Sequence, residues 1–257
     1  MSNRAERRRE RRVEVGPGGS GSKVGWILGG AGVLAVAIVA WNLFSTALDS
    51  TARAPMDLEY GSPAELLELA QGISYGDPDA PIILMEFADF QCPSCLAFFQ
   101  QVKPLVDLSY IQSGAVRMVL YDFPLIQSHP NAFLAARAAR CAGDQGNYWG
   151  YHDRLFLGQS IWSRRADPAA EFIDYAAEIG LDRGAFTSCL RSDRHAEVVT
   201  ANMILGNQLG VQGTPTLLVD AGIGRAIRLP DFTIESIRRV VDEALASLAS
   251  ADAPGGV

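Results

Sequence analysis

The stretch EFADFQCPSCLAFF, residues 86–99, sets two cysteines two residues apart between an apolar run and a segment with helical spacing. Ile82 to Ala88 has the length of a central buried strand, and the helical pattern from Cys92 runs to about Ser113, with Pro104 expected to kink or break it. A C-x-x-C at such a junction has a physical purpose. Unpaired N–H groups and the positive end of the helix dipole favour a thiolate on the first cysteine, Cys92. Such sites lower a thiol pKa to roughly 3.5–7.5 from about 8.5. Cys92 is therefore read as the attacking or attacked sulfur. Cys95, one helical turn on and less exposed, is its resolving partner. Pro93 fits the first helical turn, where its missing N–H is not needed.

The compartment decides what such a pair can do. Between Lys23 and Asp49 every residue is uncharged, and Val24 to Phe44 is dense in Val, Ile, Leu, Ala and Gly, with Trp26 and Trp41 near its ends. At 1.5 Å per residue this run is long enough for about 30 Å of hydrocarbon. It exceeds the roughly 7 to 15 apolar residues of a signal peptide, and Pro55 follows the nearest small-x-small site, Ala52-Arg53-Ala54. A buried core helix without charge over that length would be unusual. An uncleaved transmembrane anchor over 24–44 is expected.

Residues 1–23, a basic tail, carry seven Lys/Arg against three Glu, a net of +4, which keeps the N-terminus cytoplasmic by the positive-inside rule. The arginine pairs lie too far from the apolar run for a twin-arginine signal. Of the total charge of −7, the remainder then carries −11, an acidic exterior that argues against binding nucleic acid or anionic lipid. All four cysteines, Cys92, Cys95, Cys141 and Cys189, fall on the exported side, where disulfide chemistry is possible.

Residues 45–61 read as a linker. Ser62-Pro63-Ala64-Glu65 looks like a capping box opening a short helix to about Ala70. AVRMVLYDFP gives a second strand, and residues 131–210 hold amphipathic and Ala-rich helical stretches without a convincing strand. After Gly213-Thr214-Pro215, TLLVD and RAIRL form a hairpin, and Thr233 caps a last helix before a frayed tail at 249–257. The order is that of an α/β domain with a helical insertion at about 130–210.

Zinc would need a second ligand pair. The gaps of 45 and 47 residues that separate Cys95, Cys141 and Cys189 match no standard ribbon or finger, and His129, His152 and His195 are scattered. No metal or other cofactor is expected.

Together EFADFQCPSC, DFPLIQSHPNAFLAARAARCAGDQGNYWGYHDRLF and GVQGTPTLLVD resemble the DsbA-like thioredoxin-fold oxidoreductases, in particular their membrane-anchored bacterial branch, over residues 62–248. The resemblance implies a thioredoxin-like fold and disulfide exchange with exported proteins. It makes Cys92 and Cys95 the redox pair, Pro215 the cis-proline opposite them, and Thr214 a neighbour that helps set the redox poise. It also favours pairing Cys141 with Cys189, as a structural staple or, in a sharper alternative, as a second redox pair. Glu86, the only charge in its strand, matches the family's buried acid, whose raised pKa would let it accept a proton from Cys95 when the disulfide opens.

The family's dipeptide is often Pro-His, whereas this chain has Pro93-Ser94, so a less acidic Cys92 is expected. His129 and the aromatics Tyr148, Trp149 and Tyr151 are read as caps and core, outside the site. The expected protein is a monomeric, single-pass thiol-disulfide oxidase of exported proteins, reoxidised by a quinone-linked membrane partner of the DsbB or vitamin K epoxide reductase type. A reductase or isomerase, and a chaperone or binding module with structural cysteines, are the alternatives.

Overall fold

A computed structural model describes residues 32, 36–41, 52–222 and 225–251. They fall into two units, divided between Leu48 and Asp49. In the first, residues 36–41 are helical and leave Val36, Ile38, Val39 and Trp41 exposed. Most of the expected anchor at 24–44 lies outside the described residues. No helix among those described is long and apolar enough to cross a membrane.

The second unit is built on a five-stranded sheet of order β1-β3-β2-β4-β5, namely β1 (Ile73–Tyr75), β2 (Ile82–Ala88), β3 (Val116–Asp122), β4 (Thr216–Asp220) and β5 (Ile227–Arg228). β2 lies at the centre, parallel to β3 and antiparallel to β4, with Glu86 opposite Leu120 on one side and Leu217 on the other. Its alternation sorts side chains onto two faces. Ile82 and Leu84 pack with Phe98, Val106 and Val241, whereas Phe87 packs with Phe123, Val211 and Leu218. Glu86 shares the parity of Ile82 and Leu84, so it points toward the helix that carries the cysteines.

Among the described residues, eight α-helical segments flank the sheet before the last helix. They are α1 (Pro63–Leu69), α2 (Pro93–Ala97), α3 (Lys103–Val106), α4 (Ala132–Gly143), α5 (Tyr148–Trp162), α6 (Ala169–Glu178), α7 (Arg183–Leu190) and α8 (Ala196–Gln208), and α9 (Ile234–Ala251) closes the unit. The Ser62 hydroxyl accepts from the Glu65 N–H at the start of α1. Pro104 does not break the cysteine helix. Wide π-turns at Phe98–Val102 and Asp107–Ile111 flank α3 and accommodate the hydrogen bond that proline cannot make. The sheet also contains β1, a three-residue strand too short for alternation to reveal.

α4 to α8 make up the helical block expected between β3 and β4. Every residue of α4 from Ala132 to Ala142 is buried, and its alanines let neighbouring helices approach closely. Gly206 of α8 serves the same end against the sheet, because a Cβ there would come within 2.6 Å of the Phe123 ring.

Residues 52–61, the described part of the segment read as a linker, run along this block. Arg137, fully buried on α4, donates to the carbonyls of Ala52, Leu190, Ser192 and Arg194. Arg53 pairs with Asp167, and Leu58 and Tyr60 pack beside Leu66. These are mostly backbone and irregular contacts, which leave no periodicity in the sequence.

A disulfide joins Cys141 of α4 to Cys189 of α7, 48 residues apart. By the chain-entropy model a loop of that size is worth about 4 kcal/mol. The double variant Cys141→Ala/Cys189→Ala is therefore expected to unfold at lower urea, with the loss read from equilibrium denaturation, while still cycling at Cys92 and Cys95.

Candidate active site

β2 ends at Ala88 and α2 starts at Pro93, so the four residues Asp89 to Cys92 form a tight connection that places the cysteines at the end of the central strand. Cys92 is the N-cap residue of α2 in an extended conformation. Its N–H donates to the Asp89 carbonyl at 3.1 Å, and its own carbonyl accepts from Leu96 N–H at 3.2 Å. Gln159 reaches in from α5, and its side-chain amide donates to the carbonyls of Phe90 (2.7 Å) and Cys92 (3.0 Å). The loop is therefore fixed from both sides before any substrate arrives.

Both thiols are free, with Cys95 fully buried and Cys92 7% exposed, enough for Cys92 alone to be reached. The Thr214–Pro215 peptide is cis, and the Cys92 thiol donates to the Thr214 carbonyl at 3.3 Å. The buried Thr214 hydroxyl has no hydrogen-bond partner among the described residues in this thiol form. On ionisation, Cys92 is stabilised first by the Cys95 thiol, then by the Thr214 side chain and the N–H groups of Cys95 and Ser94, against an opposing cost of burial. The balance brings its pKa down to about 5. Cys95 moves the other way. Burial, then the hydrogen bond to Cys92 and the charges of Glu86 and Cys92, push it well above the ordinary thiol value, while the Asp89 N–H at 3.5 Å opposes them.

Glu86 is 3% exposed, and burial raises its carboxyl to about 8, with Lys103 pulling in the opposite direction. A carboxyl that keeps its proton at neutral pH can give it to a Cys95 thiolate as a disulfide opens, the reverse of the direction expected from the sequence.

Three residues at this centre escaped the sequence reading. Besides Gln159 they are Asp89 and His129. Asp89 is 1% exposed, and its carboxylate accepts from the N–H groups of Gln91 (2.7 Å) and Leu125 (2.8 Å) and bonds His129 Nδ1 at 2.7 Å. His129 is thus neither a cap nor core. Asp89 was visible as a lone acid between Ala88 and Phe90, where the apolar run ends. Nothing in the local pattern marked Gln159, which is 67 residues from Cys92. Tyr148 and Tyr151 are core, and Trp149 donates to the Ser74 carbonyl. Cys141 and Cys189 lie apart from this loop, in the helical block.

Comparison with known proteins agrees with this geometry. A family model described as thioredoxin matches residues 68–243. The probable disulfide bond formation protein D of Bacillus anthracis is 28% identical over 174 residues, 67% of this chain and 77% of that one. The Na(+)/H(+) antiporter NhaA 3 of Salinispora tropica is 33% identical over 172 residues, 67% of this chain. This chain spans only about a quarter (24%) of that relative's length. Among solved structures, BdbD from Bacillus subtilis aligns with a TM-score of 0.60 at 22% identity, covering 69% of this chain and 97% of that one. A thioredoxin-like oxidoreductase from Silicibacter pomeroyi aligns at 0.56 and 26%, covering 72% and 99%. Central strand, capped C-x-x-C, cis-proline and inserted helices all fit that match: the chain belongs to the thioredoxin family, as a DsbA-like member of it.

Proposed function

We propose that this chain is a protein disulfide oxidase, acting through Cys92 and Cys95 on exported proteins with cysteine thiols. The observation that carries the proposal is the opposite displacement of the two thiols. A Cys92 with a pKa of about 5 is a thiolate at neutral pH, which stabilises the reduced pair and makes the disulfide a ready electron acceptor. Low pKa also makes Cys92 a good leaving group. The name of the Bacillus anthracis relative supports the same direction.

In the cycle, a substrate thiolate attacks the Cys92 sulfur of the disulfide, forming a mixed disulfide and expelling Cys95 as a thiolate. Protonated Glu86 supplies the proton for that sulfur. A second substrate thiolate then attacks the substrate sulfur, and Cys92 leaves as a thiolate. Two electrons pass from substrate to protein, and the substrate gains one disulfide. Thr214 and Pro215 face Cys92 and bind the substrate backbone beside it.

Reoxidation falls to a quinone-linked membrane partner of the DsbB or vitamin K epoxide reductase type. The apolar run at 24–44 anchors the domain next to that partner on the exported side of the membrane, with the N-terminus inside.

The test is the reduction potential of the pair in the full chain, from equilibration in glutathione buffers and trapping of free thiols. A value above about −200 mV is expected. One near or below about −270 mV would overturn the oxidase and leave a reductase, and a pair that does not cycle would leave a structural role.

A further inference from the structure

We infer that His129, held by Asp89, is a positioning residue for exchange at Cys92, supplying from the loop after β3 the imidazolium that Pro93-Ser94 lacks. The inference rests on Cys92 being the exchanging sulfur.

The geometry singles out Asp89. Its main chain touches both members of the pair, through the Cys92 N–H on its carbonyl at 3.1 Å and its own N–H 3.5 Å from Cys95 Sγ. Its carboxylate, with no side-chain exposure, gathers Gln91 N–H, Leu125 N–H and His129 Nδ1. One buried anion therefore ties the exit of β2, the cysteine turn and the loop after β3 into a single unit. A bare carboxylate there would oppose a thiolate on the neighbouring cap residue. A protonated imidazole offsets it.

The groups that act on His129 are Asp89, on the segment leaving β2, and Cys92, at the start of α2. The hydrogen bond to Asp89 is the larger of the two and raises the histidine pKa, burial opposes it, and the charges of Asp89 and Cys92 raise it further. At 18% side-chain exposure His129 exchanges protons with solvent while staying locked to Asp89. Thiolate and imidazolium each favour the charged form of the other, and such coupling is reciprocal.

The reciprocity supplies the experiment. The full chain has three histidines, whose ring protons are resolved by NMR and assigned with a His129→Asn variant. In the unaltered protein, the His129 midpoint is expected to lie about one pH unit higher with the pair reduced than with it oxidised, since only the reduced form carries the thiolate. In His129→Asn, which keeps a donor for Asp89 but no charge, the Cys92 pKa read from thiolate absorbance rises by the same amount. The exchange constant with glutathione then shifts about tenfold toward the disulfide form, equivalent to about 30 mV lower potential. His129→Arg restores the charge and returns both readings toward the original.

A His129 midpoint that ignores the redox state overturns the inference, as does a folded His129→Asn whose Cys92 titrates unchanged. If that variant does not fold, the comparison of the two redox states in the unaltered chain still decides. The oxidase reading fails separately, on the absolute potential, whatever the difference between the two proteins.

Discussion

Replacing Cys95 with alanine is expected to stop the reaction halfway. Cys92 remains the reactive thiol at pH 7, because the Thr214 side chain and the N–H groups at the start of α2 still lower its pKa when the Cys95 thiol is gone. It attacks oxidised glutathione or an oxidised peptide, expelling one thiolate and keeping the other half as a mixed disulfide. Without the buried thiol of Cys95 no group on the protein can displace it. The adduct accumulates one to one, visible on non-reducing gels and by mass, while multiple turnover falls by about 10³-fold or more. Cys92→Ser forms no adduct, since Cys95 is fully buried and its pKa lies far above neutrality. The loss of the Cys95 thiol also removes the leading stabiliser of the Cys92 thiolate, so the Cys92 titration in Cys95→Ala moves upward from about 5. Equal labelling of both single variants by a thiol reagent at pH 7 would refute the asymmetry on which the proposed cycle depends.

That asymmetry follows from where the fold puts two chemically identical groups. Cys92 is the cap, with helix N–H groups of Ser94 and Cys95 aimed at it and the Thr214 side chain across from it. Cys95 is one turn inward, over Glu86 on the central strand. Local spacing made the first half legible, because a cysteine at the start of a helix after an apolar strand already implies the cap. The bounds of β2 and the cap of α1 at Ser62 were legible for the same reason: strand length, proline placement and side-chain capping are local. Asp89, His129 and Gln159 were hidden because their roles exist only after distant segments meet. His129 is 40 residues from Asp89, and Gln159 is 67 residues from Cys92. The absence of a histidine between the cysteines pointed to a less acidic Cys92. His129 joins the cysteine turn only through Asp89, at a position no C-x-x-C pattern encodes. β1 and the π-turns around Pro104 escaped for a different reason, being shorter than the windows in which periodicity is defined.

The central strand also carries the largest stability effect expected in the domain. Glu86 sits among Leu120 and Leu217 on the neighbouring strands and has its pKa raised by burial from 4.5 to about 8. In the folded protein it is protonated up to about pH 8, whereas in the unfolded chain it ionises near 4.5. The folded state therefore binds one proton more across that window, and stability falls as pH rises from about 4.5 to about 8. At about 1.4 kcal/mol per pKa unit, the total is on the order of 5 kcal/mol. Below about 4.5 the group costs only an ordinary buried polar side chain. Glu86→Leu is expected to flatten this slope and to stabilise the protein most at pH 8, measured as urea midpoints from pH 5 to 9. The same substitution removes the proton donor for Cys95, so opening of the disulfide by a substrate thiolate slows by about 10²-fold at pH 7. Stability and rate move in opposite directions, which a packing role alone cannot produce. An unchanged opening rate in a stabilised Glu86→Leu protein would remove Glu86 from the proton path, and an unchanged pH slope would mean that water already reaches the carboxyl.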